Sequence, residues 1–258
     1  MKIATFGSCL SRFTAMNYAR MFRGEIVGAV YHNRIDRFVR TYVRNEVPEL
    51  PISEFVKANY DQSTSKLKVM VDNQMMNGTL GLHGVAKGRP GFMTAIEEQL
   101  DLVLLDNYVD IIARQCHLQG YPSGGIFANP RELPQLQGRL VLDAEYLDMK
   151  EAVAYWGELI NWIRARQRGT KIFFLNFPMK HHHNALMAER TTEFASLFAS
   201  KRVNVVPLME VPPSLVRTPS HFSPAYYSML AGYIRYVTRH KRNEQPTAEE
   251  RADDVLVA

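Results

Sequence analysis

Two potential nucleophiles follow the first apolar segment of the chain. Residues 2–6 (Lys-Ile-Ala-Thr-Phe) predict a short buried strand, Gly7-Ser8-Cys9-Leu10 predicts a tight turn, and a helix is expected over 11–22. The amino terminus of a helix offers unpaired backbone N–H groups and a positive dipole end, and both favour a thiolate. Cys9 is therefore a candidate catalytic nucleophile, and its own N–H can stabilise an oxyanion.

Ser8 is the other candidate catalytic residue of this turn, and Arg12 follows Cys9 near the same helical face. A guanidinium at this position can favour the thiolate or bind a phosphate or carboxylate group of a substrate. The structural alternative is that Ser8 caps the helix and Cys9 is a small buried residue. These residues alone leave both interpretations open.

A histidine with a suitable setting lies near the other end of the chain, in His221-Phe222-Ser223-Pro224. Ser223 is a typical N-cap and Pro224 a typical first helical residue, so His221 is expected on a loop just before the last helix. Imidazole is the usual general base for a serine or cysteine nucleophile. A histidine of this kind also often has only a structural role.

The turn and the histidine segment together resemble the SGNH (GDSL-type) hydrolase superfamily. The first block of that superfamily reads Gly-Asp-Ser-Leu with serine as nucleophile, so Ser8 stands at the aspartate and Cys9 at the serine. The Gly-Ser-Cys form is also similar to the WcbI-type bacterial capsule-biosynthesis proteins, which are associated with coenzyme A. The resemblance implies a three-layer α/β/α sandwich with a mostly parallel, flavodoxin-like sheet, and the cleavage or transfer of acyl esters.

The resemblance also implies roles for individual residues. Cys9 and His221 take the nucleophile and base positions, and the oxyanion hole combines the Cys9 N–H with Asn107 and Gly78. The aspartate that the superfamily places three residues before the histidine is replaced by Thr218. A cysteine depends less than a serine on that third member. Either a carbonyl or hydroxyl of Thr218 orients His221 instead, or catalysis is lost and only binding remains.

Apolar segments alternate with helical ones along the chain, which predicts a parallel sheet covered on both faces. We expect one domain over residues 1–242 and a loose acidic tail over 243–258. In such sheets ligands bind beyond the carboxyl ends of the strands, where Ser8, Cys9, Asn107 and Lys180 should converge. The predicted strands are 2–6, 25–30, 67–71, 102–105, 171–177 and 203–206; the predicted helices are 11–22, 34–44, 92–100, 146–166, 184–200 and 224–239; a long loop is expected over 119–136.

The composition is that of an ordinary globular protein, with 258 residues, 46% hydrophobic residues and a net charge of +5. No apolar run approaches the ~20 residues of a membrane span. Two cysteines cannot form a disulfide framework, and the first strand begins directly after Met1, so a cytoplasmic protein is expected. The positive charge favours anionic ligands such as phosphates or acidic sugars.

The chain has three further basic features that could bind a ligand. Lys180 and His181 follow a predicted strand end and are candidate substrate-binding residues. The histidine run over 181–183 does not predict a metal site, because consecutive residues rarely ligate one ion and no carboxylate or cysteine cluster accompanies them. Arg34, Arg37, Arg40 and Arg44 share one face of a helix, where a solvated surface is favoured over a phosphate-binding one. No nucleic-acid-binding module is recognised.

The sequence therefore predicts an acyl-transfer enzyme, an O-acyltransferase or esterase, that acts on a sugar of a bacterial surface polysaccharide. Its partners are a small-molecule acyl donor and a saccharide acceptor, with no cofactor required and with coenzyme A or acyl-coenzyme A as the implied co-substrate. The alternative is a catalytically degenerate protein of the same fold that binds coenzyme A or an anionic glycan. The oligomeric state is left open.

Overall fold

The computed structural model describes residues 1–47, 91–126, 138, 140–180, 182, 184–200 and 202–240. The predicted strand 67–71, Gly78, His181 and the acidic tail lie outside the described residues. The strands are β1 (Lys2–Gly7), β2 (Glu25–Tyr31), β3 (Leu102–Asp106), β4 (Cys116–Leu118), β5 (Tyr121–Ile126), β6 (Leu140–Leu142), β7 (Lys171–Leu175), β8 (Asn204–Val206), β9 (Val216–Thr218) and β10 (His221–Phe222). The helices are α1 (Cys9–Phe22), α2 (Ile35–Phe38), α3 (Phe92–Glu97), α4 (Tyr108–Ile112), α5 (Met149–Arg166), α6 (Ala185–Leu197) and α7 (Pro224–His240).

Among the described residues, five parallel strands form the central sheet, in the order β2-β1-β3-β7-β8. This is the flavodoxin-like order, in which the first two strands are exchanged and the chain then runs outward on one side. The predicted three-layer α/β architecture is confirmed. The carboxyl ends of β1 and β3 are adjacent, and they bring together segments of the chain that are far apart in sequence.

Apolar side chains of the strands alternate between the two faces of the sheet and supply two buried clusters. On one face Phe6, Val103 and Phe174 pack with the side chains of α3 and α5, among them the fully buried Trp156. On the other face Ile3, Leu104 and Phe173 pack with α1 and α7. Both faces are apolar because helices cover both, as the continuous apolar strands in the sequence predict.

Helix α1 begins two residues earlier than the predicted segment and ends at the predicted residue. Tyr18 is buried against the sheet, whereas Met16 and Met21 are nearly half exposed. Their exposure leaves an apolar surface at Met16 beside α7.

The long loop expected over 119–136 is wrong for its first part. Strand β5 pairs with β4, and β4 pairs with β6, in a small antiparallel sheet apart from the main one. The sequence of 121–126 does not predict this strand, because it contains glycine and proline, which disfavour strands in most contexts.

The structure also corrects the expectation that four arginines share one face of a helix. The helix expected over 34–44 is the short α2 followed by a π-helical segment, Val39–Val43, which changes the angular spacing of the side chains. Arg34 and Arg37 are buried, and the Arg34 guanidinium pairs with Asp36 through two contacts of 2.8 Å. Only Arg40 and Arg44 fit the expected solvated face, and Arg44 bonds Glu158 at 2.7 Å.

Candidate active site

The candidate site lies at the carboxyl edge of the central sheet. Cys9 is the first residue of α1 and is separated from the end of β1 by Ser8 alone, and His221 opens β10, just before α7. The Sγ atom of Cys9 lies 3.3 Å from Nε2 of His221, and both residues are partly buried. The structure therefore brings together the two residues that the sequence placed at opposite ends of the chain.

Gly7 is required for the turn that presents Cys9. Its φ is +150°, and a Cβ atom at this position would lie 2.3 Å from Oδ2 of Asp106. That carboxylate oxygen accepts hydrogen bonds from the backbone N–H groups of Ser8 (2.7 Å) and Ser11 (2.9 Å). The other oxygen accepts from the N–H of Tyr108 at 3.1 Å. One side chain thus fixes the amino terminus of α1 against the end of β3.

Asp106 is fully buried. Burial raises the pKa of Asp106, because a low-dielectric environment disfavours the charged carboxylate, and the hydrogen bonds from Ser11 and Ser8 offset part of that effect. No role was assigned to Asp106 from the sequence. Its role in the turn could not be read from spacing, because the Ser8 and Asp106 segments meet only in the folded sheet.

Ser8 acts as the N-cap of α1 in this structure. Its hydroxyl accepts a hydrogen bond from the Leu10 N–H at 3.1 Å, and the residue is buried. The same side chain was proposed from sequence as a second catalytic candidate, and this geometry is that of the capping alternative. Cys9 is the residue of the pair whose side chain reaches the histidine.

The imidazole of His221 is held by hydroxyl groups on its other nitrogen. Nδ1 lies 3.0 Å from the Thr218 hydroxyl and 3.1 Å from the Ser220 hydroxyl. His221 pairs directly with Thr218 across the β9–β10 hairpin, which explains why the residue three positions earlier reaches the ring. If Nδ1 is protonated and its N–H donates a hydrogen bond to one of these hydroxyl groups, the lone pair of Nε2 faces the thiol.

Tyr108 extends this hydroxyl network and was missed by the sequence reasoning. Its side chain hydrogen-bonds Ser220, and burial raises the pKa of Tyr108, so the phenol stays protonated at neutral pH. Its ring packs against Phe177 with centroids 4.5 Å apart. The available signal was its position next to Asn107, the candidate oxyanion residue. The helix-forming residues around Tyr108 gave no reason to choose it as a site residue.

Asn107 presents an amide donor that is not used within the described part of the chain. Its Oδ1 atom accepts the Phe177 N–H at 2.9 Å, and the residue is completely buried. Its Nδ2 atom is buried and has no hydrogen-bond partner among the described residues. A buried N–H donor without a hydrogen-bond partner is costly to maintain, so this amide is a candidate donor to an oxyanion.

The remaining predicted binding residues lie on different elements. The Arg12 guanidinium stacks on the Phe13 ring at 5.5 Å, one turn along α1 from Cys9. Lys180 is exposed beyond the end of β7. Within the described residues, no group of three or more histidine, cysteine, aspartate or glutamate side chains could hold a metal ion. In the same part of the chain, every helix is too short or too polar to cross a membrane.

No protein-family model and no curated protein matches the chain. Similar solved structures include the acetyl xylan esterase Est2A from the rumen bacterium Butyrivibrio proteoclasticus, with a TM-score of 0.47 and 10% identity. A family two carbohydrate esterase from Clostridium thermocellum in complex with cellohexaose has a TM-score of 0.47 and 12% identity. Both alignments cover 93% of this chain, which spans 64% of the length of either esterase. For a lipase from a goat rumen metagenome the TM-score is 0.46 at 8% identity, over 92% of this chain and 96% of the lipase.

Proposed function

We propose that this chain is an acyl-transfer enzyme, an O-acyltransferase or esterase, with Cys9 as nucleophile and His221 as general base and acid. The observation that carries the proposal is the 3.3 Å contact between the Cys9 sulfur and Nε2 of His221. This contact is the arrangement that a Cys–His pair needs for proton transfer. The resemblance in the first and last motifs suggests acyl-coenzyme A as donor and a hydroxyl of a bacterial surface polysaccharide as acceptor.

In the first step Nε2 of His221 takes the thiol proton, and the sulfur of Cys9 attacks the acyl carbonyl carbon. The N–H of Cys9 and Nδ2 of Asn107 are the proposed donors to the resulting oxyanion. Collapse of the tetrahedral species breaks the bond to the leaving group, which takes the proton from His221. A thioester on Cys9 remains.

In the second step an acceptor hydroxyl, or water in the esterase case, gives its proton to His221 and attacks the thioester. The C–S bond breaks, and the sulfur of Cys9 recovers the proton from His221. A thioester is more reactive than an oxygen ester toward such exchange, which suits acyl transfer.

Trapping of the acyl-enzyme tests this proposal. After brief exposure to acetyl-coenzyme A or p-nitrophenyl acetate, peptide mass spectrometry should locate one acetyl group on Cys9. Cys116, which is buried in β4, is the internal control and should stay unmodified. His221→Ala should slow acylation by about 10²–10⁴-fold, the usual contribution of a general base. Acylation that is independent of both Cys9 and His221 would refute the mechanism.

The second candidate is a protein that binds the same ligands without catalysis. The observation in its favour is that a neutral threonine occupies the place of the aspartate that would stabilise an imidazolium. It predicts binding of coenzyme A with no adduct on Cys9 under conditions in which Cys9 reacts normally with iodoacetamide.

A further inference from the structure

A cavity of about 370 Å³ lies between α1 and α7, beside the Cys9–His221 pair. Phe13 and Met16 of α1 and Tyr227 of α7 supply its mostly apolar walls, and His221 also lines it. Its size is at the lower end of the ~300–1,000 Å³ that is typical of small-molecule pockets. Nothing in the reaction as described so far uses this space.

The cavity lies on the histidine side of the site. His221 belongs to its lining, whereas Cys9 and Asn107 do not. A general acid must be within hydrogen-bond reach of the atom that it protonates, and in this reaction that atom is the heteroatom of the leaving group. The leaving group of the donor therefore lies next to His221, and the chain attached to its heteroatom can extend into the cavity. The acyl group stands at Cys9 and the oxyanion donors.

Positive charge marks the polar part of the same cavity. Arg20 and Arg217 both line it, and no acidic side chain is among its described lining residues. Neither arginine forms an ion pair with a described residue; Arg20 hydrogen-bonds only the neutral amide of Asn17, at 3.3 Å. Two guanidinium groups without a countercharge among the described residues favour an anionic group, and they can bind one through paired hydrogen bonds.

We propose that the cavity between α1 and α7 binds the leaving group of the acyl donor, and that this leaving group has an apolar stem carrying an anionic group. The inference rests on the proposed acyl transfer for the direction of the reaction, but the binding itself requires no chemistry. The departing thiol or alcohol takes its proton from His221 and leaves along the cavity. Arg20 and Arg217 are then binding residues for its charge.

Equilibrium binding of octyl phosphate to the wild-type chain, by titration calorimetry, tests the inference without turnover, because the compound has no carbonyl group. We expect octyl phosphate to bind about tenfold more tightly than octanol, and octyltrimethylammonium to bind more weakly than either. Arg217→Ala and Arg20→Ala should each remove most of the preference for phosphate. Arg239→Ala, an exposed arginine of α7 outside the cavity, is the matched control and should not change the affinity. Met16→Trp, at a half-exposed position, should block binding of all three compounds.

A kinetic comparison separates the leaving group from the acyl group as the occupant. Met16→Trp should slow acylation of Cys9 by the thioacetate of an 8-carbon thiol that ends in phosphate much more than it slows acylation by p-nitrophenyl octanoate, whose long chain is on the acyl side. The opposite pattern would assign the cavity to the acyl chain and overturn the inference. Equal affinity for the three octyl compounds would overturn it as well, even if Cys9 is acylated as proposed. Selective binding of octyl phosphate without any acylation would support the cavity assignment and reject the proposed enzyme.

Discussion

At the scale of single residues, hydroxyl groups stand where a carboxylate would be expected beside the imidazole. Thr218 and Ser220 both contact Nδ1 of His221, so they can select the tautomer and hold the ring without adding a negative charge. They cannot stabilise an imidazolium as an aspartate does. This difference fits a thiol nucleophile, because a Cys–His pair can ionise without a third charged group.

Removing the Thr218 hydroxyl tests this role. A neutral hydrogen bond contributes about 1 kcal/mol, so Thr218→Val should slow acylation of Cys9 about 3- to 10-fold, and Thr218→Val with Ser220→Ala should slow it further. Stopped-flow release of p-nitrophenol measures the rate. Thr192→Val removes an exposed hydroxyl on α6 and should have no effect. If the double variant acylates at the wild-type rate, the hydroxyl groups do not position the histidine.

Tyr108 should act through Ser220 and not directly on His221. Tyr108→Phe keeps the ring contact with Phe177 and loses only the phenol hydroxyl, so we expect a 2- to 5-fold slower acylation. The same substitution in a Ser220→Ala background should cause no further loss, because coupled residues are not additive. Additive losses in this double-mutant cycle would show that the two residues act separately.

At the scale of elements, the turn between β1 and α1 is built from two distant segments. Gly7 leaves the space into which the Asp106 carboxylate fits, and that carboxylate caps backbone donors of Ser8 and Ser11. The nucleophile is therefore presented by a backbone arrangement that depends on β3 as much as on β1.

Gly7→Ala should be strongly destabilising. The new Cβ would lie 2.3 Å from Oδ2 of Asp106, on a backbone with φ of +150°, so the carboxylate and the turn would have to move. We expect a loss of about 2–4 kcal/mol in the free energy of unfolding, measured by urea denaturation. Gly157→Ala is the matched control: this residue lies inside α5 with open space around its Cβ position, and alanine should stabilise the helix by ~0.5–1 kcal/mol. Equal stability of Gly7→Ala and wild type would contradict this account of the turn.

The elements that could be predicted are those with a clear hydrophobic pattern within their own sequence. The strands around 2–6, 102–105 and 171–177 and the helix α5 carry long apolar or amphipathic patterns, and the structure confirms them within a few residues. The β4–β6 sheet could not be predicted, because its short strands are stabilised by pairing with each other and not by their own sequence. Within the candidate site, the turn and the histidine were visible as motifs. Asp106, Tyr108 and Ser220 were not assigned, since their contacts join residues that are distant in the chain.

At the scale of the whole molecule, the candidate site and the core meet at Asp110 and its neighbours on α4. Asp106 and Asn107, which directly precede α4, belong to the candidate site. Asp110, one turn later, is buried under α2 and α5. Its carboxylate accepts the Ile35 N–H at 2.8 Å and Nε1–H of Trp156 at 2.8 Å. The carboxylate thereby ties the start of α2 to the largest aromatic side chain of the core.

This buried carboxyl should make the stability of the fold depend on pH. Burial raises the pKa of Asp110 to about 7, against about 3.9 for an unfolded aspartate. Between these values the folded chain holds a proton that the unfolded chain has lost. The contribution of Asp110 to stability is therefore full below pH ~4 and is lost as the pH rises toward 7, by up to about 1.4 kcal/mol per pH unit.

Urea denaturation of the wild type and Asp110→Asn at pH 5, 6 and 7 isolates this contribution from that of other titrating groups. Asparagine cannot ionise, so the variant should lose less stability than the wild type as the pH rises over this range. At pH 5 it should be less stable than the wild type, because the amide nitrogen of asparagine cannot accept a hydrogen bond, whereas both oxygens of the protonated carboxyl still can. Parallel pH profiles for the two proteins would mean that Asp110 is already ionised at pH 5 in the folded state. The stability of the core would then be independent of its titration over this range.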